Sequence, residues 1–426
     1  MSLYEIQEKD IYELFDKHLM NEKNKDKYGE VFTPRPLIEE ILNKIPKSCY
    51  SHPHWKWLDP AAGTGHFFLL LFLRLMKGLA KAIPQVQKRK AHILENMFVM
   101  VEYNKTNVQT LKKLFGPKCQ IISGNFLTQK FAPHSFDGIL GNPPFQVSKK
   151  ESYKGSAGNR TLWDLFLKKI LETPLLKPHG YLGFLTPSSW RRPESKIYSM
   201  ILQDYSLHYL RIYGKEDGVK KLGAQTRFDV YVLHGSPSKK NSVLIDEKGE
   251  KHTLDIHKWP FLPNYNYDKF RKVLVSKKSE GIPILFDSSC YYAQKLSKNK
   301  SKKHKISVVH NITRKGLGLR YASKKCPHLH KPKVLLNFNE KQYPVNDYLG
   351  KYGMSQITFG IPITSKHEGE QWIKVIESPF FQELLEASKW NSFQTDYRMF
   401  SYFSKNKNRY KTGGLAVPLE PPAFPG

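Results

Sequence analysis

The sequence predicts a mostly parallel, doubly wound α/β sheet followed by a smaller, strongly basic α+β domain. Two observations predict the first part. Short apolar runs alternate with helical stretches from residue 55 to 235, and one of these runs breaks on a glycine turn straight into an apolar helix. A third observation predicts the second part: past the linker-like stretch Ser236-Pro237-Ser238-Lys239-Lys240-Asn241 the chain becomes rich in Lys and Arg. At 426 residues, two domains with a sizeable core are expected. The expected division is 1–240 and 241–411, with a helical segment at 1–30 and a Gly- and Pro-rich disordered tail at 412–426.

Residues 3 to 27 read as an amphipathic, highly charged helical segment. Pro34-Arg35-Pro36 then opens a helix through about Lys44, because proline is tolerated in a first helical turn. Trp57-Leu58 ends a strand, Asp59-Pro60-Ala61-Ala62-Gly63-Thr64-Gly65 turns the chain, and residues 67 to 76 form a buried apolar helix. That helix is far shorter than the roughly 20 apolar residues of a membrane span, and Arg74 interrupts it. A basic helical insert, residues 77 to 96, precedes a second strand at 97–101 that ends in Glu102. A third strand from Gln120 ends in Asn125 and Phe126, and a fourth, 136–141, runs into Asn142-Pro143-Pro144-Phe145. A one-faced helix at 161–171, a core strand at 181–187 and a late strand at 226–233 complete the series. No internal repeat is present.

The strand ends hold the residues with chemistry. Gly63 and Gly65 let the backbone turn tightly and approach a ligand. The turn lacks both a Gly-Lys-Ser/Thr ending and a full Gly-x-Gly-x-x-Gly, so it suits an adenosine without phosphates better than a phosphate group. Glu102 is placed to accept hydrogen bonds from ribose hydroxyls. Asn125 is a candidate for the adenine edge and Phe126 for its face. Two successive prolines hold a rigid, non-helical turn. That turn presents the Asn142 amide, the Pro143 carbonyl and the Phe145 ring at one point, the parts needed to hold a planar base by its exocyclic amine. Asn-Pro turns are common in loops, so the order of all four elements along the chain is what makes the pattern specific.

On these residues the chain resembles the S-adenosylmethionine-dependent DNA adenine-N6 methyltransferases of the amino-methylating class. It is most similar to members in which the cofactor half precedes the catalytic half and a target-recognition domain comes last. Such enzymes occur in bacteria and in large DNA viruses. The resemblance implies a Rossmann-like methyltransferase sheet. Tyr28-Gly29-Glu30-Val31-Phe32-Thr33-Pro34 matches the family's N-terminal cofactor motif, with Thr33 and Pro34 over the methionine part. The turn from Asp59 through Ala61, Gly63 and Gly65 matches the glycine loop, Glu102 with Tyr103 beside it matches the ribose-binding acid, and Asn142 to Phe145 matches the catalytic motif. Phe228, in the late strand, corresponds to the aromatic residue facing a flipped base, opposite Phe145. The implied activity is transfer of the methyl group of S-adenosylmethionine to adenine N6 in duplex DNA by base flipping, as the modification half of a restriction–modification system. Two departures stand out. The family usually has aspartate where this chain has Asn125, and the insert widens the spacing from Asp59 to Glu102 beyond the roughly 20 residues of a minimal unit.

Composition agrees with a polyanionic partner. Lys and Arg number 68 against 38 Asp and Glu, a net charge of +30, which points to nucleic acid, with a generally Lys-rich proteome as the plainer source. No acid lies between Asp287 and Glu340. Within that window Lys302, Lys303, Lys305, Arg314, Lys315, Arg320, Lys324 and Lys325 are candidate phosphate contacts, and Lys295, Lys331 and Lys333 also fall there. Arg314, Arg320, Asn337, Asn339 and Arg398 are candidate base readers. The aromatic stretch 389–400 reads first as core packing and second as a DNA contact. The loop 146–160 is either a flap over bound DNA or an ordinary surface loop. Cys49, Cys119, Cys290 and Cys326 are scattered and are expected to be reduced, in an intracellular protein acting on DNA in the cytoplasm of a bacterium or of a virus-infected cell. Cys326, His328 and His330 lack a second ligand pair, so no metal is expected. No nuclease cluster of carboxylates and lysine is visible, so any endonuclease partner would be encoded separately, and no membrane association is expected. Another amine substrate (cytosine N4, an RNA base or a protein glutamine) and a non-catalytic nucleic-acid-binding module remain open alternatives.

Overall fold

The structure is a computed structural model of the full chain. It describes residues 2–7, 10–13, 15, 32–146, 161–237, 241–289, 296–326, 328–338, 341–390 and 394–411. The segment 28–31 of the N-terminal motif, most of the 146–160 loop, Lys295, Asn339, Cys290 and the tail therefore lie outside the described residues.

Two compact units are present, one comprising 1–190 and 196–256, the other 191–195 and 257–426. The boundary expected at 240 falls later because two strands after it, β8 (Ser242–Ile245) and β9 (Lys251–Leu254), extend the first unit's sheet. Residues 191–195 leave the first unit because Arg191, fully buried, donates to the carbonyls of Leu262 and Pro263 and to Asn264 Oδ1.

The first unit is a nine-stranded sheet in the order β3-β2-β1-β4-β5-β7-β6-β8-β9. The strands that position the site are β1 (Trp57–Asp59), β2 (Phe98–Glu102), β3 (Gln120–Ser123), β4 (Phe136–Gly141) and β5 (Leu176–Pro187). All neighbours among these five are parallel, so their C-terminal ends share one edge. The strands β6 (Ser206–Tyr213) and β7 (Phe228–His234) add antiparallel partners beyond β5. The α/β class expected from the alternation is thus observed. β1, β2 and β4 are buried throughout, as a sheet covered on both faces requires.

Helix α1 (Arg35–Lys44) starts at Pro34 as expected and buries Leu37, Ile38, Ile41 and Leu42. Helix α2 (His66–Gly78) is the apolar core helix after the glycine turn. The basic insert folds as the short helix α3 (Val86–His92) and a π turn, Ile93–Met97. Two of its charges have structural partners: Lys90 Nζ donates to the carbonyls of Tyr4 and Ile6, and Arg89 to those of Ile83 and Pro84. Helix α4 (Lys105–Phe115) connects β2 to β3, and helix α5 (Trp163–Glu172) precedes β5.

The second unit is α+β. One three-stranded sheet holds the hairpin β10 (Ile306–Thr313) and β11 (Gly316–Ala322) with β14 (Gly353–Met354). The other holds β12 (Lys333–Asn337) between β13 (Val345–Asp347) and β15 (Thr358–Pro362). Two helices at Lys366–Glu377 and Pro379–Ala387 start on the Ser365 and Ser378 side-chain caps. Cys49 and Cys119 are free, whereas Cys326 is disulfide-bonded, which corrects the expectation of four reduced thiols. Among the described residues no helix is long and apolar enough to cross a membrane.

Candidate active site

The order of strands reverses between β1 and β4: β2 and β3 lie to one side, β5 to the other. Ligand clefts in open parallel sheets form at this switch point, outside the carboxyl ends of the strands. Each strand there delivers one group. β1 ends in Asp59 and the glycine turn, β2 in Glu102, β3 leads to Asn125, and β4 leads to Asn142.

Backbone geometry makes the glycine turn. Gly63 and Gly65 have φ of +55° and +91°, a region costly for other residues. A side chain at Gly65 would also strike Phe115 at 2.5 Å, whereas one at Gly63 would meet nothing within 4 Å. Gly63 therefore faces open space. Glu102 Oε2 accepts the Gly63 N–H at 2.7 Å and its Oε1 accepts the Asn104 N–H at 2.6 Å, so the acid expected to bind ribose also holds the turn. Tyr103, beside it, is 57% exposed.

Asp59 is 1% exposed and accepts the Ala61 N–H at 3.1 Å. Burial raises its pKa to about 8, the Ala61 bond opposes the rise, and the Glu102 charge adds to it. Asp59 thus favours a proton or a cationic neighbour. A Cβ at Gly141 would sit 3.0 Å from Asp59 Oδ1, so the chain leading into Asn142 passes directly beside the acid.

Asn142 donates its amide N–H to Thr33 Oγ1 at 3.0 Å. This bond joins the N-terminal motif to the Asn-Pro-Pro-Phe turn across 109 residues of sequence and orients the amide. Thr33 and Pro143 are buried, Asn142 and Pro144 half-buried. Phe32 packs edge-on against His66, as does Phe15, with ring centroids 4.3 and 4.8 Å apart, and His66 Nδ1 lies 3.0 Å from the Thr64 hydroxyl. His66, unremarked in the sequence, anchors the N-terminal segment beside the glycine turn.

Three expected roles need correction or restriction. Phe126, expected to stack on adenine, is 1% exposed and lies against Phe166 of α5, with centroids 5.1 Å apart; that helix covers the ring. Asn125 Oδ1 accepts the Leu127 N–H at 2.9 Å, a turn-capping role that asparagine and aspartate fill equally well. Phe228 has no exposed surface, and one face is covered by Tyr213, stacked at 4.7 Å and 10°. Tyr213 is held by Glu40 of α1, which also accepts a bond from Tyr209. Phe145 is 9% exposed.

In the second unit, Lys302, Lys303, Lys305, Arg314, Lys315, Lys324 and Lys325 are exposed and Arg320 is half-buried. Arg314 and Lys315 form the tip of the β10–β11 hairpin. Three residues of the wider basic and base-reading set are structural instead. Lys333 is fully buried and paired with Asp347 at 2.8 Å. Asn337 is buried and donates to the Ile312 carbonyl. Arg398 is held by both Asp396 oxygens. In the 389–400 stretch, Trp390, Met399 and Phe400 are buried, which matches the core-packing reading. Asp246, Glu250 and His252 come within metal-ligating range of one another. Asp246, however, already caps the β8–β9 turn through the Lys248 and Glu250 N–H groups.

Residues 69–218, about a third of the chain, match the family model described as Eco57I restriction–modification methylase. The span contains Glu102, Asn125 and the Asn142–Phe145 turn, and stops short of Phe228. A Mycoplasma pneumoniae protein named an uncharacterized adenine-specific methylase is 24% identical over 38% of this chain and 55% of its own length. The type II methyltransferase M.XhoI of Xanthomonas vasicola is 24% identical over 43% of this chain and 38% of its own. The chain thus matches about half or less of each relative. Among solved structures, a nuclease-deletion form of the type ISP restriction–modification enzyme LlaGI, in complex with a DNA substrate mimic, aligns over 90% of this chain and 54% of its own, with 12% identity and a TM-score of 0.50. That likeness is one of fold.

Proposed function

We propose that the chain is an adenine-specific DNA methyltransferase of the restriction–modification type, with S-adenosylmethionine as methyl donor. One observation carries the reading. Parallel pairing of β1 with β4 sets the Asn142 turn beside Asp59 and the glycine turn, and Thr33 ties the N-terminal motif to Asn142. The relatives named for adenine methylation and restriction–modification support it.

The cleft suits an adenosyl sulfonium compound. The Gly63 surface is open, Glu102 offers carboxylate oxygens at the ribose position, and the buried Asp59 favours a nearby positive charge. When bound, that compound supplies an electrophilic methyl group. The chain's own residues do the rest. The Asn142 side-chain oxygen and the Pro143 carbonyl accept the two N6 hydrogens of an extruded adenine. This localises the amine lone pair, which is otherwise delocalised into the ring. Phe145 stacks on the base; such stacking contributes roughly 1–3 kcal/mol, against a few kcal/mol for unstacking it. The amine loses its proton after transfer, so no strong base is required, and catalysis is positioning and preorganised polarity. The exposed Lys and Arg of the second unit contact phosphates, and the partner is duplex DNA. A separately encoded endonuclease fits the modification role.

The test is incubation with mixed-sequence duplex DNA and labelled S-adenosylmethionine, followed by digestion to nucleosides. Label on N6-methyl-2′-deoxyadenosine is expected. Label confined to deoxycytidine, or label transfer only when RNA or polypeptide replaces the DNA, would overturn the reading, and absence of cofactor binding would favour a non-catalytic module. Asn142→Ala should lower kcat by about 10²–10³-fold, the range for losing a preorganised polar contact, while cofactor binding stays within a few-fold of wild type.

A further inference from the structure

The helix α5 touches both halves of the proposed site, a connection absent from the motif pattern. Its N-terminal end is tied to the Asn-Pro-Pro-Phe turn: Leu162 N–H donates to the Phe145 carbonyl at 3.1 Å, and Gln146 and Thr161 form an antiparallel bridge. Its C-terminal half is tied to the turn that follows Asn125. Lys169 Nζ donates to the Phe126 carbonyl at 2.6 Å, the Leu127 carbonyl at 3.0 Å and the Gln129 carbonyl. The ammonium also lies 4.9 Å from the Phe126 ring centre, and Phe166, three residues earlier, stacks on that ring.

This arrangement is more than a surface contact. An ammonium has three N–H donors, and here the three bonds go to carbonyls within one four-residue stretch. Withdrawing Lys169 from water lowers its pKa, so the protein holds this charge at a cost. A helix of 10 residues spans about 15 Å and is stiff over that length. One stiff helix thus connects the Asn125 turn to the carbonyl end of the catalytic turn.

We propose that Lys169 is a positioning residue for the adenosine side of the cofactor, and that α5 couples occupancy of that side to the Asn142–Phe145 turn. The inference rests on the methyltransferase reading above. Lys169 acts through the 125–129 turn that its ammonium fixes, and Asn125 of that turn is exposed.

The experiment uses the full-length protein with S-adenosylhomocysteine and S-adenosylmethionine as probes. In Lys169→Met, the dissociation constant for S-adenosylhomocysteine and the KM for S-adenosylmethionine should rise at least about tenfold, the usual effect of losing a charged hydrogen bond. The kcat at saturation should stay within about threefold. Lys169→Arg, which keeps donors and charge, should recover most of the affinity. In the wild type, S-adenosylhomocysteine should slow amide exchange both in 125–129 and in 162–166, a readout that needs no variant. Unchanged KM in Lys169→Met, an arginine variant no better than methionine, or protection confined to 125–129 would overturn the coupling while leaving the methyltransferase reading intact. A wild type that binds neither probe would overturn that reading, and this inference with it.

Discussion

In the first unit the charged and amide groups of the site are held by hydrogen bonds to neighbouring protein groups; in the second, the candidate phosphate-contacting lysines face water. Glu102 accepts two backbone N–H groups, Asp59 one, and Asn142 is tied to the Thr33 hydroxyl of the N-terminal segment, so each of these three site groups is held by a defined neighbour. Arg314 and Lys315 are exposed at the tip of the β10–β11 hairpin, while Lys333, fully buried and paired with Asp347, builds the fold. The difference teaches that charge in this chain has two separate roles. Held charge defines geometry, and solvated charge provides a field that salt can screen.

The largest expected effect separates these roles within the second unit. Asp347 accepts from Lys333 and from the N–H groups of Lys351 and Tyr352. Asp347→Ala leaves a buried ammonium without its counter-ion and should cost about 3–5 kcal/mol in urea unfolding. Lys303→Ala should change stability by no more than about 0.5 kcal/mol. Equal effects from the two would erase the distinction.

A second comparison lies inside the glycine turn. Gly65→Ala meets both an unfavourable φ and the Phe115 ring, and should destabilise by about 2–3 kcal/mol. Gly63→Ala meets only the φ penalty, about 1–2 kcal/mol, yet it should weaken cofactor binding more per unit of lost stability, because its side chain would project into the cleft. A Gly63→Ala protein with wild-type cofactor affinity would place the ligand elsewhere.

A third prediction concerns the solvated charges. Removing Lys302, Lys303 and Lys305 together should reduce the slope of log K against log salt by roughly 0.9 per lost phosphate contact, with little change in sequence preference. A lost preference with an unchanged slope would make these residues base readers.

The last comparison is a pH dependence. Below the ordinary carboxylate value of 3.8, Asp59 is protonated in both folded and unfolded chains. Between there and about 8 the folded chain keeps a proton that the unfolded chain has released, so stability falls as pH rises; above about 8 this contribution is constant. Asp59→Asn should therefore gain stability relative to wild type as pH is raised from 5 to 8.5. Parallel unfolding curves across that range would show that Asp59 is already ionised in the free protein.

Several features were legible in the sequence because chain-local physics dictates them. Pro34 opening α1, the glycine turn into α2, Glu102 ending β2 and the proline turn after β4 are each set by the φ restrictions and hydrophobic runs of a few adjacent residues. The strand–helix alternation and the charge excess likewise required no coordinates. Partnership across the chain was not legible. That Lys333 and Asn337 belong to the core, that Phe126 is covered by Phe166, that β8 and β9 extend the first sheet, and that Lys169 reaches three carbonyls depend on which surfaces meet after folding. A lysine in a basic stretch and a phenylalanine after a strand read the same whether buried or exposed. Only tertiary packing sets the desolvation and the partners that decide between those fates.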